Sequence, residues 1–375
     1  MQTVKPEIPF NELPVLPPDS FRVGSSEIFR ASLNALGAIS GLRAVLWQDE
    51  QNPVRAMQLM KPLFVPEAVK SSNVENIQTT NDEVLRARAE VQDNPVIELK
   101  PSAEKEVLNY VDALQEGTQR LARRGFLSVN DIIAIQKKLE PTRPGLRKLP
   151  GTHLANPATG KIYYTPPEGE RVIRAKLDNF EKFFNEPAST DEVFARMAML
   201  HYQFEAIHPF NDGNGRTGRM LMPLYLVAQH QLDIPVLFIS RYILDNRDDY
   251  YVKLRKVTYE QQWEDWILFI IQGAELQAKF TSQMLERVKK AMLDMRQTMH
   301  DKLPKLDRDE LVQFMFSEPY FTMQAFMNAM NVSRPTANAH LNALANAGLV
   351  QWQKEEGRNR NMYSNPKYLE VLNAS

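Results

Sequence analysis

The residues best able to do chemistry together in this sequence lie in one segment of twelve, HPFNDGNGRTGR, from His208 to Arg219. The segment contains three glycines, two arginines, a histidine and an aspartate. Hydrophobic spacing predicts that one helix leads into it and that a second helix leaves it. A glycine-rich loop at a helix N-terminus presents backbone N–H groups and the positive end of the helix dipole. The segment therefore predicts an anion site.

The charged side chains of this segment have distinct chemical capacities. His208 can accept a proton near neutral pH, and Asp212 is a hard oxygen ligand that suits Mg²⁺. Arg216 and Arg219 are three residues apart, so they share one helix face, and their guanidinium groups can make bidentate hydrogen bonds to phosphate oxygens. One base, one metal ligand, one backbone nest and two arginines together indicate phosphoryl or nucleotidyl transfer.

Each of these residues also has a purely structural interpretation. A lone histidine before a proline usually packs, and a glycine turn between helices usually only turns the chain. The case for chemistry depends on the whole constellation. Nine positions fit one known pattern in order: His208, Pro209, Phe210, Asp212, Gly213, Asn214, Gly215, Arg216 and Arg219.

These nine positions resemble the signature of Fic-domain proteins, H-x-F-x-[D/E]-G-N-G-R-x-x-R. The resemblance covers about residues 20–290. It implies that AMP is transferred from ATP to a Ser, Thr or Tyr hydroxyl of a protein target, and that pyrophosphate is released. ATP is then a substrate, Mg²⁺ is the implied metal, and self-modification is expected.

The resemblance assigns a role to each matched position. It makes His208 the general base for the target hydroxyl, and it makes Asp212 the residue that holds Mg²⁺ against the α- and β-phosphates. Phe210 packs the loop, and Arg219 meets the γ-phosphate. The other positions expected to bind the nucleotide are Gly213, Asn214, Gly215, Arg216, Thr217 and Gly218.

Two further segments resemble less specific parts of the family pattern. The family's flap pairs with the target backbone as an added strand. It corresponds here to Ile162, Tyr163, Tyr164 and Thr165. Tyr250 and Tyr251 lie in a segment that resembles the adenine side of the nucleotide site. Ordinary packing of aromatic side chains on a helix face is an equally good interpretation of these two tyrosines.

The segment SSNVEN, residues 71–76, fits a second family pattern, [S/T]-x-x-x-E-[G/N], with Ser71, Glu75 and Asn76 at the fixed places. The pattern implies an N-terminal inhibitory helix whose Glu75 pairs with Arg219 and keeps it from the γ-phosphate. Three fixed positions make the pattern weak on its own, and a glutamate at a helix end is usually a solvated charge. Its position before an intact Fic motif favours regulation. The same Glu75 could alternatively orient a water for removal of AMP.

The elements that position these residues are predicted to be mainly helical. Apolar spacing predicts helices near 102–124, 129–139, 171–185, 190–207 and 247–300, with a hairpin at 147–167. Another helix is expected from about Arg216 to Gln231, where Pro223 should kink or interrupt it.

The N-terminal part is also predicted to be helical. Residues 68–84 predict a helix, a polar break and a restart capped by Thr80 or Asn81. An earlier helix should bury one face, marked by Ile28, Leu33, Leu36 and Ile39.

Residues 306–375 change in character. They predict three short helices and then two strands about a glycine turn, with Ser333 as an N-cap and Gly348 as a C-cap. This order resembles a winged helix-turn-helix. From Asn331 onward, five basic side chains against three acidic ones leave a net charge of +2, which is small for a protein that binds duplex DNA.

We therefore predict an all-α fold, mainly helical with a small β-hairpin flap, followed by a C-terminal winged helix-turn-helix domain. The expected domains are an N-terminal helical region with the inhibitory helix at 1–100, a Fic catalytic core at 101–300, and the winged helix at 301–375.

Composition limits the remaining classes of function. The 375 residues include no cysteine, which excludes disulfides, thiol nucleophiles and thiolate metal sites. The net charge of −1 gives no global attraction to nucleic acid or to acidic membranes. No apolar run is long enough to cross a bilayer, and no signal peptide is recognisable. We therefore expect a cytoplasmic protein with no membrane partner.

Several alternatives stay open at this point. Doc-type kinases carry lysine at the position of Gly215, so the glycine favours AMP transfer over phosphorylation. UMP transfer, phosphocholine transfer and AMP removal are not excluded. An alternative of another class is a DNA-binding regulator whose Fic part senses nucleotide. If the chain is an enzyme, the winged helix is a docking or dimer module, which leaves a homodimer open.

Overall fold

A computed structural model describes residues 4–18, 25–46, 61–93, 101–156, 159–354 and 361–374. The chain divides into two compact units. The first contains Met1–Ala44 and Asp112–Lys279, and the second contains Val45–Val111 and Phe280–Ser375. The segment 71–76 and the C-terminal region, which the sequence places in different domains, thus share the second unit.

The described residues are mostly helical. In chain order, the helices are α1 (Ser26–Leu46), α2 (Phe64–Val74), α3 (Asn81–Asp93), α4 (Ala103–Arg124), α5 (Val129–Leu139), α6 (Glu170–Asn185), α7 (Val193–Ile207), α8 (Asn214–Ala228), α9 (Ser240–Asp245), α10 (Arg247–Glu260), α11 (Trp263–Lys302), α12 (Asp309–Ser317), α13 (Met323–Met330), α14 (Arg334–Asn346) and α15 (Pro366–Asn373). The strands are β1 (Leu154–Ala155), β2 (Ile162–Tyr164), β3 (Tyr320–Thr322), β4 (Gln351–Lys354) and β5 (Asn361–Ser364). The predicted helices around the twelve-residue segment are confirmed to within a few residues.

Helices α7 and α8 form the centre of the first unit. Every residue of α7 is buried except Arg196 and Glu205, so its apolar spacing marks a helix buried on all sides. Gly218 lets α8 approach α7 closely, because a Cβ there would lie 2.4 Å from Glu205 Oε1 and 3.1 Å from Phe204 Cδ1. The role of Gly218 in this structure is helix packing.

The expected interruption at Pro223 does not occur. Helix α8 runs through this proline as one element from Asn214 to Ala228. Proline removes one backbone hydrogen bond from a helix interior. Every residue from Arg216 to Leu226 is buried, and this packing outweighs that loss.

An N-terminal segment, residues 5–18, packs against the hairpin and α6 within the first unit. The Phe10 N–H donates to the Thr165 carbonyl over 3.0 Å, and the Thr165 hydroxyl donates to the Pro6 carbonyl over 2.6 Å. The side chain of Asn179 exchanges two hydrogen bonds with the backbone of Leu16, at 2.7 and 3.0 Å. These contacts immobilise the end of the hairpin.

In the second unit, α2 and α3 are separated by the polar break that the sequence predicts. Thr80 caps α3, since its hydroxyl accepts from the Glu83 N–H over 3.2 Å and its N–H donates to the Glu83 carboxylate over 2.8 Å. The Thr80 hydroxyl also donates to the Glu83 carboxylate over 2.9 Å. This hydrogen bond first, and then the one from the Thr80 N–H, lower the pKa of Glu83. The cap at Thr80 is therefore confirmed, and it fixes where the chain leaves segment 71–76.

The C-terminal part of the second unit contains the three expected helices, α12 to α14, and the two expected strands, β4 and β5. It also contains two elements that the sequence did not predict, strand β3 and helix α15. The strands form an antiparallel sheet in the order β3-β5-β4, with Phe321 and Trp352 both opposite Tyr363. Ser333 precedes α14, and Gly348 follows it with φ +77. The glycine turn lies outside the described residues, and the winged helix-turn-helix remains a prediction.

Within the described parts of the chain, no helix has the length and apolar character needed to cross a bilayer.

Candidate active site

His208 lies at the corner where α7 ends. It is the C-cap of that helix, it is partly exposed, and its backbone is left-handed, with φ 47 and ψ 59. This conformation is unusual for a residue other than glycine, and the surrounding structure must hold it. Pro209 follows directly and prevents the helix from continuing. The predicted base therefore lies on a bent corner at the opening of the glycine-rich loop.

Asn214 closes this loop through its side chain. The amide oxygen accepts from the Phe210 N–H over 2.8 Å, and the amide nitrogen donates to the Phe210 carbonyl over 2.8 Å. The Phe210 ring is fully buried, with its centroid 6.1 Å from that of Phe204. The expected packing role of Phe210 is confirmed. Asn214 was predicted to bind the nucleotide, and its side chain instead holds the loop, so its backbone N–H is the group that can face an anion.

Helix α8 begins at Asn214, two residues before the predicted start at Arg216. Gly213 is the N-cap, with φ +76. The first N–H groups of a helix have no partner within the helix, and the dipole makes that end positive. Gly215 lies in this first turn and is partly exposed. Thr217 is buried, and its N–H donates to the Gly213 carbonyl over 2.9 Å. The predicted anion nest is thus Gly213 to Arg216.

Arg216 is buried in an ion pair that the sequence did not predict. Its Nη2 lies 2.5 Å from Oε1 of Glu140, the residue that follows α5, and 3.7 Å from Oδ1 of Asp212. Both Arg216 and Glu140 are less than a tenth exposed. Glu140 is 76 residues away in the chain, and no local pattern marks it. The pair fixes Arg216 next to Asp212, and removing either partner would leave a buried charge.

Asp212 is the carboxylate that can bind a metal at this site. Its Oδ1 accepts from the Gly213 N–H over 2.7 Å, its Oδ2 lies 3.5 Å from Arg143 Nη1, and 45% of its side chain is exposed. Among the described residues, no group of three or more His, Asp or Glu side chains gathers to hold a metal ion, at this site or at another. Mg²⁺ often binds through one or two carboxylates and completes its shell with phosphates and waters. The exposed oxygens of Asp212 fit that mode.

Arg219 and Tyr250 lie deeper than the sequence suggested. Both are about 1% exposed. The Tyr250 hydroxyl is 2.9 Å from Nε2 of His201, a buried residue whose ring stacks on Trp266. Burial first, and then the positive charge of Arg219, lower the pKa of His201 to about 3, so its ring is neutral. The structure therefore places Tyr250 in the core, in line with the packing interpretation.

Tyr251 differs from its neighbour. It is partly exposed, and the Arg247 guanidinium lies 5.7 Å from its ring centroid. Of the two tyrosines predicted to contact the nucleotide, Tyr251 alone has a side chain that reaches the surface.

The hairpin predicted as a flap is formed by β1 and β2, with Leu154 opposite Tyr164. The Tyr164 hydroxyl donates to the Ala206 carbonyl over 2.8 Å, and Thr165 is buried under residues 6–10. Ile162 and Tyr163 remain partly exposed. The Tyr163 carbonyl accepts from the Tyr259 hydroxyl. Docking of a target on this strand stays a prediction, and only its first two residues offer accessible side chains.

In the second unit, segment 71–76 forms the end of α2. Ser71 is buried, while Glu75 is the exposed C-cap residue. Asn76 has φ 63, a left-handed conformation that glycine and asparagine adopt most easily. That preference gives a physical reason for the [G/N] position of the pattern.

Comparisons with known proteins agree with this geometry. Three family models match in succession: Fic/DOC family N-terminal over residues 44–119, Fic/DOC family over 126–226, and the C-terminal domain of SoFic-like protein adenylyltransferases over 292–368. Protein adenylyltransferase fic-1 of Caenorhabditis elegans is 29% identical over 128 residues, which are 33% of this chain and 24% of that protein. Protein adenylyltransferase Fic of Drosophila melanogaster is 40% identical over 62 residues, 16% of this chain and 13% of that protein. The chain thus spans about a quarter or less of these relatives' length.

Solved structures show the same fold at low identity. A Fic family protein from Desulfovibrio desulfuricans superposes with a TM-score of 0.53 and 18% identity, over 91% of this chain and 96% of its own. Residues 134–508 of Fic-1 from C. elegans superpose with a TM-score of 0.50 and 19% identity, over 68% of this chain and 73% of that one.

Gly213 offers a matched test of the nest. A Cβ there would lie 3.0 Å from Glu140 Cγ and 3.1 Å from Leu139 Cδ2, and alanine at φ +76 costs about 1–2 kcal/mol besides. We expect Gly213→Ala to lower both the free energy of unfolding and the affinity for nucleotide. Gly125→Ala is the control, because Gly125 has φ +75 with nothing within 4 Å of its Cβ position. Urea unfolding and nucleotide titration of both variants are the measurements. Equal nucleotide affinity in the two variants would contradict the nest.

Proposed function

We propose that this chain, which belongs to the Fic/DOC family, transfers AMP from ATP to a Ser, Thr or Tyr hydroxyl of a target protein and of itself. The observation that carries the proposal is the joining of a base and an anion nest on one rigid segment. The left-handed corner at His208 and the N-terminus of α8 at Asn214 are six residues apart and are tied together through Phe210.

The residues of this segment have separate roles in such a transfer. His208 takes the proton of the target hydroxyl, whose oxygen attacks the α-phosphorus as the bond to the β-phosphate oxygen breaks and pyrophosphate leaves. The N–H groups at the start of α8 stabilise the charge that develops on the phosphate oxygens. Arg216 and Arg219 supply positive charge on the same helix, and Arg219 meets the γ-phosphate.

Asp212 holds the metal in this proposal. Bound Mg²⁺ would neutralise the charge of the leaving pyrophosphate. The Gly213 N–H hydrogen bond to Oδ1 of Asp212 orients the carboxylate. Arg143 and Arg216 lie near its two oxygens, at 3.5 and 3.7 Å.

Two alternatives keep specific support. AMP removal uses the same site with a water in place of the target hydroxyl, and Glu75 would then orient that water. The second alternative is a DNA-binding regulator, which would bind DNA through the C-terminal region. There, α14 exposes four polar or charged side chains: Arg334, Thr336, Asn338 and Asn342. A salt-dependent gel shift with the full chain tests that second alternative.

The test of the proposed function is a labelling experiment with ATP carrying ³²P at either the α- or the γ-position. AMP transfer predicts labelled protein from α-labelled ATP only, and loss of labelling in EDTA. Label from the γ-position would indicate phosphorylation, and labelling that persists in EDTA would contradict the role of Asp212. Mass spectrometry of the labelled protein identifies the modified side chain.

A further inference from the structure

A buried arginine outside the glycine-rich segment lies against its first residues. Arg147 is 1% exposed. Its Nε donates to the His208 carbonyl over 2.7 Å, and its Nη2 donates to the carbonyls of Ile207, over 3.2 Å, and Pro167. Its backbone N–H donates to the Pro209 carbonyl over 2.9 Å. One residue therefore contacts three consecutive residues at the corner.

This corner needs support from outside the segment. A left-handed backbone costs a residue other than glycine roughly 1–2 kcal/mol, so His208 keeps it only if neighbours hold it. Because the last carbonyls of a helix have no partner within it, the end of α7 offers acceptors to an external donor. The planar guanidinium of Arg147 reaches two of these carbonyls at once, which the single ammonium of a lysine does not do in a fixed geometry.

We propose that Arg147 is a positioning residue for His208. By holding the backbone of residues 207–209, it fixes the direction of the Cα–Cβ bond of His208 and hence the place from which the imidazole takes the target's proton. Arg147 does not contact the reacting atoms in this scheme, and it acts through His208. The kinetic part of this inference rests on the proposed AMP transfer, whereas the structural part does not.

The kinetic test compares full-length Arg147→Met and Arg147→Lys with the wild type. A catalytic group misplaced by about 1 Å can cost on the order of a hundredfold in rate, so we expect kcat to fall by about that factor. The Kd for ATP should stay within about twofold, because the nest at α8 is held separately by Asn214. Arg196→Met is the control, since it removes another arginine of the same unit, partly exposed and paired with Glu192 at 3.1 Å. This control should keep the wild-type kcat.

A double-substitution cycle separates positioning from general damage. In a His208→Ala background, Arg147→Met should lower the residual transfer no further, because the side chain that it positions is already absent. A further fall of similar size in that background overturns the proposal, and so does an unchanged kcat in both single variants.

A second readout does not depend on any reaction. In protein with ¹³C-labelled histidine rings, the His208 NMR signal is assigned by its loss in His208→Ala. That signal should shift in Arg147→Met and stay in place in Arg196→Met. If it stays in place in Arg147→Met, the proposal is wrong. If it shifts while the wild type transfers no AMP, Arg147 is supported and the proposed function alone fails.

Discussion

Replacing His208 by alanine is expected to reduce AMP transfer by about a thousandfold while ATP binding persists. A general base typically contributes between about a hundredfold and ten-thousandfold to a rate, and a thousandfold loss corresponds to about 4 kcal/mol. In the proposed mechanism, affinity comes from other groups, namely the N-terminus of α8, the two arginines and a metal held by Asp212. The change should therefore separate catalysis from binding.

Calorimetric titration with ATP, beside incorporation of label from α-labelled ATP, measures the two effects. His208→Asn is the second variant, since asparagine tolerates the left-handed backbone at φ 47 and cannot act as the base. His300→Ala is the control, because this histidine lies in the other unit with 71% of its side chain exposed. Transfer that survives in both His208 variants would remove the histidine from the mechanism.

The helices could be predicted because their signals are local. The range 129–139 matches α5, whose N-cap Ser128 and third residue Asp131 exchange the hydrogen bonds of a capping box. Helix α1 shows the limit of the same reasoning. Its buried face includes Ser32 and Ala35, while Leu33, expected to be buried, is 47% exposed. Ile28 and Ile39 are buried as expected, and Leu36 is partly exposed. The large apolar side chains alone therefore mark the buried face only in part, because small residues complete it.

The site could be predicted as a list of residues, and its supports could not. The nine motif positions lie within twelve residues of the chain, so spacing and type identify them together. Arg147 and Glu140 reach the segment across 61 and 76 positions, and no periodicity links such distant residues. The resemblance assigns Asn214 to the nucleotide, whereas its side-chain amide makes two hydrogen bonds with the backbone of Phe210. Buried backbone N–H and C=O groups need hydrogen-bond partners, and at Phe210 the side chain of Asn214 supplies them.

The second large effect is expected at Glu75, which belongs to the unit that also contains the C-terminal region. Helix α3, which follows Glu75, is held to that region by several polar contacts. Arg88 lies 3.0 Å from Glu318, the Tyr320 hydroxyl donates to Asp82 over 2.8 Å, and Asn81 donates to the Leu372 carbonyl over 2.9 Å. A fragment without the C-terminal region would lose these supports, so Glu75 must be tested in the full chain.

We expect Glu75→Gly to raise AMP transfer, including self-modification, by at least about tenfold. In the regulation that the resemblance implies, pairing of Glu75 with Arg219 would leave the γ-phosphate without its contact, so ATP would bind with its α-phosphate misaligned for attack. A tenfold change corresponds to only about 1.4 kcal/mol of transition-state stabilisation, which loss of one charged pair can supply. Glu75→Gly combined with Arg219→Ala should be inactive again, because the released arginine is missing.

The control for Glu75→Gly is Glu186→Gly, which removes a glutamate from the same C-cap position of another helix, α6. This variant should transfer AMP at the wild-type rate. Purified, previously modified target distinguishes inhibition from AMP removal, because wild type that strips AMP in a Glu75-dependent way supports the hydrolytic role. If Glu75→Gly changes neither transfer nor removal, Glu75 is an ordinary charge at the end of α2, and Asn76 owes its place in the pattern to its left-handed backbone alone.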